Sequence, residues 1–144
     1  MNTPLANVIT LGARDLATQR EFYRRLGFES VFEDEDFTAF ELRGALLCLF
    51  PVDKLAGDAR TEPAYGGKGI RFSLGMLAES AAEVDERARL VAQAGGTITK
   101  EPTDAEFFEG RSCYFADPES NYWEIVWVGG DSVVLDAARR AAGL

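Results

Sequence analysis

A chain of 144 residues with 47% apolar side chains suits one compact domain, or two small modules sharing a core, and is too apolar for disorder. Its 24 acidic against 15 basic residues give a formal charge of −9, which argues against nucleic acid and anionic membranes as partners. No apolar run approaches the roughly 20 residues that span a bilayer, and Met1-Asn2-Thr3-Pro4 lacks the basic and apolar regions of a secretion signal.

The pattern opens with a short strand over residues 7–11 and a turn at Gly12-Ala13-Arg14. Asp15 is placed to cap a helix over 16–26, where Leu16, Phe22, Tyr23 and Leu26 fall near one face and Gly27 ends it. Strands follow over 28–33, 37–42 and 45–50, the last two joined by a tight turn at Arg43-Gly44. The acidic run Glu33-Asp34-Glu35-Asp36 superficially suggests a chelator, but four consecutive acids point in several directions, as in a solvated hairpin. Residues 51–68, rich in Gly, Pro and Asp, read as a loop or linker.

A second unit then begins with a strand over 70–74. Ser80 and Glu83 have capping-box spacing before a helix ending near Ala94, with Val84, Ala88 and Val91 as its stripe. Strands over 97–100, 111–116 and 122–128 complete it, so the order β-α-β-β-β occurs twice. Residues 131–142 form a C-terminal helix, with Val134, Leu135 and Ala138 available for packing. The division is therefore a single domain over 1–144, with one module at about 5–50, a linker at 51–68, a second module at about 69–128, and the final helix. Cys48 and Cys113 sit in apolar strand patterns without metal-type spacing, as reduced core thiols of a cytoplasmic protein do.

Three stretches carry a resemblance: Ile9-Thr-Leu-Gly-Ala-Arg-Asp-Leu16, Phe22-Tyr-Arg-Arg-Leu-Gly-Phe28, and Tyr114-Phe-Ala-Asp-Pro118 followed by Trp123-Glu124. Together they resemble the vicinal-oxygen-chelate superfamily of glyoxalase I, bleomycin-resistance proteins, fosfomycin-resistance transferases and extradiol dioxygenases. The resemblance implies an α+β fold in which two βαβββ modules form a cupped mixed sheet. It also implies a homodimer and three metal ligands. The first, seven residues before Asp15, falls on Val8, the second on Arg71 and the third on Glu124. Valine has no donor atom, and a guanidinium repels a cation. The chain has no histidine, so neither a bound divalent metal nor another cofactor is expected. Many relatives carry Gly-His where this chain has Ser120-Asn121, a turn position that is not generally a ligand.

On that alignment Arg71 replaces the metal's charge and pairs with Glu124, either as a structural plug or as the polar anchor of a ligand. Tyr114 occupies a strand position that faces the cup in some relatives. Phe50, Phe107, Phe108, Trp123 and Trp127 are candidates for an aromatic lining, from which about two are expected to reach a cavity. Asp104, Glu106 and Glu109 lie in a loop near the expected mouth. The leading expectation is a metal-free binding protein for an aromatic or cationic small molecule, with Arg71, Glu124, Tyr114, Phe50, Phe108 and Trp123 as ligand contacts. Glu124 is the weak candidate for catalysis. The alternatives are a metal- or carboxylate-dependent lyase, isomerase or dioxygenase, and a non-catalytic structural or regulatory module.

Overall fold

The computed structural model of the chain describes residues 3–144. Met1 and Asn2, which open the segment read for a secretion signal, lie outside the described residues. The first unit runs β1 (Val8–Ala13), α1 (Leu16–Arg25), β2 (Ser30–Glu33), β3 (Thr38–Leu42) and β4 (Ala45–Pro51). Helix α2 (Val52–Asp58) follows it. The second unit runs β5 (Leu74–Leu77), α3 (Ala81–Ala94), β6 (Thr97–Asp104), β7 (Gly110–Ala116) and β8 (Tyr122–Val128), and α4 (Val133–Ala141) ends the chain. Each unit builds a four-stranded sheet, in the orders β1-β4-β3-β2 and β5-β8-β7-β6. In each, the first strand runs parallel to the last and the other pairings are antiparallel. This is the α+β arrangement of paired βαβββ modules that the sequence pattern implies.

Local chemistry sets the helix ends. Asp15 accepts from the Thr18 amide at 3.1 Å, and Ser80 Oγ accepts from the Glu83 amide at the same distance. The Glu83 carboxylate reaches back to the Glu79 amide, a position earlier than a standard capping box. Gly95 closes α3 at φ 102°, a left-handed conformation that favours glycine.

The largest departures from the expected elements are three, the other ends shifting by two residues or fewer. Val52–Asp58 is a helix where a loop was predicted, because Gly57 and Asp58 end it after two turns and mask its pattern. Its start packs closely on β1, since a Cβ on Gly12 would meet Val52 Cγ2 at 2.9 Å. Strand β5 begins at Leu74, four residues late. Ile70, Phe72, Leu74 and Met76 alternate throughout, so period alone did not mark the start. Only the segment that pairs with β8 becomes strand, and the Gly69 amide donates to the Tyr122 hydroxyl at 3.0 Å instead. Strand β6 extends past Lys100 to Asp104, carrying Pro102 on an edge where a missing N–H is tolerated.

Helices α1 and α3 meet, and both sheets turn one face toward them. Leu11, Phe40 and Leu47 from the first sheet and Cys113, Phe115 and Ile125 from the second join one core. The Phe115 and Trp123 rings stack at 6.0 Å, and Phe22 of α1 lies 6.3 Å from Phe115. A buried carboxylate fastens the units together. Asp117, 3% exposed, accepts from Gln19 Nε2 at 2.9 Å, Tyr23 Oη at 2.6 Å and Asn121 Nδ2 at 2.8 Å. It also takes the Glu119 and Asn121 amides, each at 2.9 Å. Tyr23 Oη in turn accepts from Trp123 Nε1 at 3.1 Å. Glu119 of the same turn accepts from the Arg14 and Asp15 amides at 2.6 and 3.0 Å. Ser120 adopts φ 66° within this turn, the geometry that suits the glycine of many relatives.

Candidate functional site

Because each sheet spends one face on the core, strand alternation leaves the other free. Along β8, Trp123 and Ile125 belong to the core and Trp127 packs against it, while Glu124, Val126 and Val128 face away. Register fixes the neighbours of Glu124: Tyr114 on β7 to one side and Gly75 on β5 to the other. Lys100 on β6 pairs with Tyr114 and extends the row. Its Nζ lies 5.6 Å from the centroid of the Tyr114 ring and donates to Ser112 Oγ at 3.1 Å. Burial first, and then the Glu124 charge, raise the pKa of the Tyr114 phenol, so it remains a neutral hydroxyl near neutral pH. Among the described residues, Glu124 makes no ion pair.

Helix α4 lies over this free face. Ser132 caps it by accepting from the Leu135 amide at 3.1 Å, and spacing puts Leu135 and Ala138 toward the sheet, with Val134, mostly exposed, at the rim. An open-sided hollow of about 570 Å³ lies between helix and sheet, most of its lining exposed to solvent. Leu77, Glu124, Val126 and Val128 form its floor, with Phe108 and Glu109 of the β6–β7 loop at one wall. Its charged side chains are Glu109, Glu124 and Asp131, with no basic residue among the lining. A cavity of that size accommodates a small organic molecule, and apolar walls with unmatched carboxylates favour a cation on an apolar body.

Only some sequence-predicted residues converge here. Glu124 and Phe108 line the chamber, and Tyr114 stands beside Glu124 without lining it. Arg71 is exposed, precedes β5 and makes no ion pair among the described residues, so the expected structural plug with Glu124 is not formed. The position beside Glu124 is Gly75, because the strand starts later than the residue count assumed. Trp123 turns into the core, since adjacent strand residues take opposite faces. One edge of it reaches a second hollow, of about 580 Å³, under the C-terminal part of α4. Phe50 lies on the other sheet, 5.8 Å from Phe37, away from the chamber. Phe107 is 92% exposed.

Of the three loop acids, Glu109 lines the chamber and Asp104 lies 3.4 Å from Arg111. The acidic hairpin is spent on local contacts: Glu33 pairs with Arg20 and Arg24, Asp36 with Lys54, and Asp34 accepts the Asp36 and Phe37 amides. Sequence reasoning missed Leu77, Val126 and Val128. Val126 and Val128 follow Glu124 at two-residue spacing on its face, and Leu77 stands across from Val126, a usable signal once the strand register was known.

The resemblance implies a divalent ion, and the donor chemistry does not fit one. Of the three positions Val8 supplies no side-chain donor and Arg71 is a cation, leaving Glu124 alone, and Gly75, which stands beside it, adds no donor. Among the described residues, no three His, Cys, Asp or Glu side chains are grouped so as to hold an ion.

Similarity to known proteins agrees with this frame. The family model described as "Glyoxalase/Bleomycin resistance protein/Dioxygenase superfamily" matches residues 6–125. A glyoxalase-related enzyme from Fulvimarina pelagi superposes with a TM-score of 0.77 at 25% identity, covering 85% of this chain and 86% of that one. A lactoylglutathione lyase from Agrobacterium tumefaciens gives 0.65 at 25% identity, over 85% and 92%. A genomically encoded fosfomycin resistance protein from Listeria monocytogenes gives 0.68 at 21%, over 93% and 98%. No curated protein matches the chain in sequence. Among the described residues, no helix is long and apolar enough to cross a membrane.

Proposed function

The chain belongs to the glyoxalase/bleomycin resistance protein/dioxygenase superfamily, and from that premise we propose that it binds a small organic cation on the Glu124 face without a catalytic metal. The observation that carries this reading is the chamber of about 570 Å³, whose walls are apolar and whose lining charges are all negative. Glu124 supplies the anchor, as a carboxylate with no competing cation, and Leu77, Val126, Val128 and Phe108 supply apolar contact. An aromatic body fits the Phe108 wall best. The −9 formal charge of the chain draws a cation toward the site.

The protein acts in this reading as a homodimer in the cytoplasm. Val8, Val31 and Phe32 leave apolar surface exposed on the first unit, which a second copy would cover. The free, buried Cys48 and Cys113 suit a reducing compartment.

The test is a thermal-shift titration of chelator-treated protein with nickel, cobalt, manganese, iron(II) and zinc, alongside the cationic dye thioflavin T. The dye should raise the melting temperature saturably and the metals should not. A saturable rise with a metal, lost in Glu124→Gln, would overturn the metal-free reading.

A further inference from the structure

Helix α4 is held over the chamber by unusually little. None of its residues is buried, and Val133 and Val134 are 84% and 80% exposed. Nine residues are too few to keep a helix formed in water without packing. Its ties to the rest of the chain sit near its C-terminal end, where Arg139 Nη1 lies 3.4 Å from Glu79 Oε1 and Ala142 closes against Gly44. A Cβ on Gly44 would stand 3.0 Å from that of Ala142, so this contact needs the glycine. At its other end α4 follows β8 through Gly129-Gly130, where the Gly129 amide donates to the Glu109 carbonyl at 2.8 Å, so the exposed Gly130 and Asp131 form the pivot between the fixed strand and the helix. Between these ends it is undercut. The chamber of about 570 Å³ lies on one flank and the hollow of about 580 Å³ on the other, and Ala138 touches both.

An amphipathic helix whose apolar residues face empty space lacks the partner that would fix it. An occupant of the chamber supplies that partner, because Leu135 and Ala138 form its roof, with Val134 at the rim. We propose that α4 is a cover that closes on the chamber's occupant: loosely docked when the site is empty, and held down by a bound ligand. This rests on the chamber being the binding site. By linkage, the free energy a ligand gains from the docked helix equals the stabilisation that the ligand gives the helix. The Arg139–Glu79 pair adjusts the balance from outside the chamber, as neither residue lines it.

Hydrogen exchange of the full chain, with and without saturating thioflavin T, tests the cover directly. Amides of residues 133–141 should exchange at least about tenfold more slowly with the dye bound. Arg139→Glu should weaken dye binding roughly threefold to fivefold through faster release, and adding Glu79→Arg should restore it. If the dye binds, and binding is lost in Glu124→Gln, yet α4 exchanges equally in both states, the cover is wrong while the site stands. If the dye does not bind wild-type protein at any concentration tested, the site reading fails and takes the cover with it.

Discussion

Two carboxylates of the second unit, Asp117 before β8 and Glu124 within it, have opposite surroundings. Asp117 is buried, and five donors from side chains and backbone converge on its two oxygens. Glu124 is half-buried, makes no ion pair among the described residues and borders a chamber without basic lining. The first has every lone pair committed to holding a turn against α1. The second keeps capacity for something the chain does not supply. Burial of a carboxylate therefore does not mark a site; the balance between its acceptor capacity and the donors around it does.

That contrast predicts separable effects. Asp117→Ala strands the Tyr23 hydroxyl, the Gln19 amide and two backbone N–H groups, and should cost roughly 3–5 kcal/mol in urea unfolding. A loss below about 1 kcal/mol would mean that the clasp does little for stability.

Alkaline pH comes next. Burial pushes the Cys113 thiol from near 9 to about 11, and burial followed by the Asp117 charge holds the Tyr23 phenol well above its usual value near 10. The folded chain thus keeps protons that the unfolded chain releases. Stability should be complete below about pH 9 and fall as pH rises toward 11, with Cys113→Ala flattening the early part of the decline. A melting temperature constant across that window would contradict these environments.

Glu124→Gln should change stability by less than about 1 kcal/mol while weakening thioflavin T at least about tenfold, the reverse of the Asp117 profile. Smallest of all, Arg71→Met should stay within about 0.5 kcal/mol and leave dye binding nearly intact, since the side chain is exposed and unpaired among the described residues.

The fold was more legible than the site for a physical reason. Helix caps such as Asp15 and Ser80 and the β8 alternation are local signals, readable within a few residues. Which residue stands beside Glu124 depends on the pairing of β5 with β8 across the sheet, and a late strand start replaced Arg71 with Gly75. Trp123 was harder to place: alternation turns it into the core, on the face opposite Glu124, so it borders the second hollow and not the one that Glu124 lines. The packing residues of α4 were visible in its spacing, whereas the surface they cover was not.

The most direct measurement is an amide NMR titration of chelator-treated protein with thioflavin T. Shifts concentrated at Leu77, Glu124, Val126, Val128 and Leu135, and abolished in Glu124→Gln, are the predicted result. Shifts centred on Phe32, Phe37 and Phe50 of the first sheet, or none at all, would contradict the assignment of the chamber as the binding site.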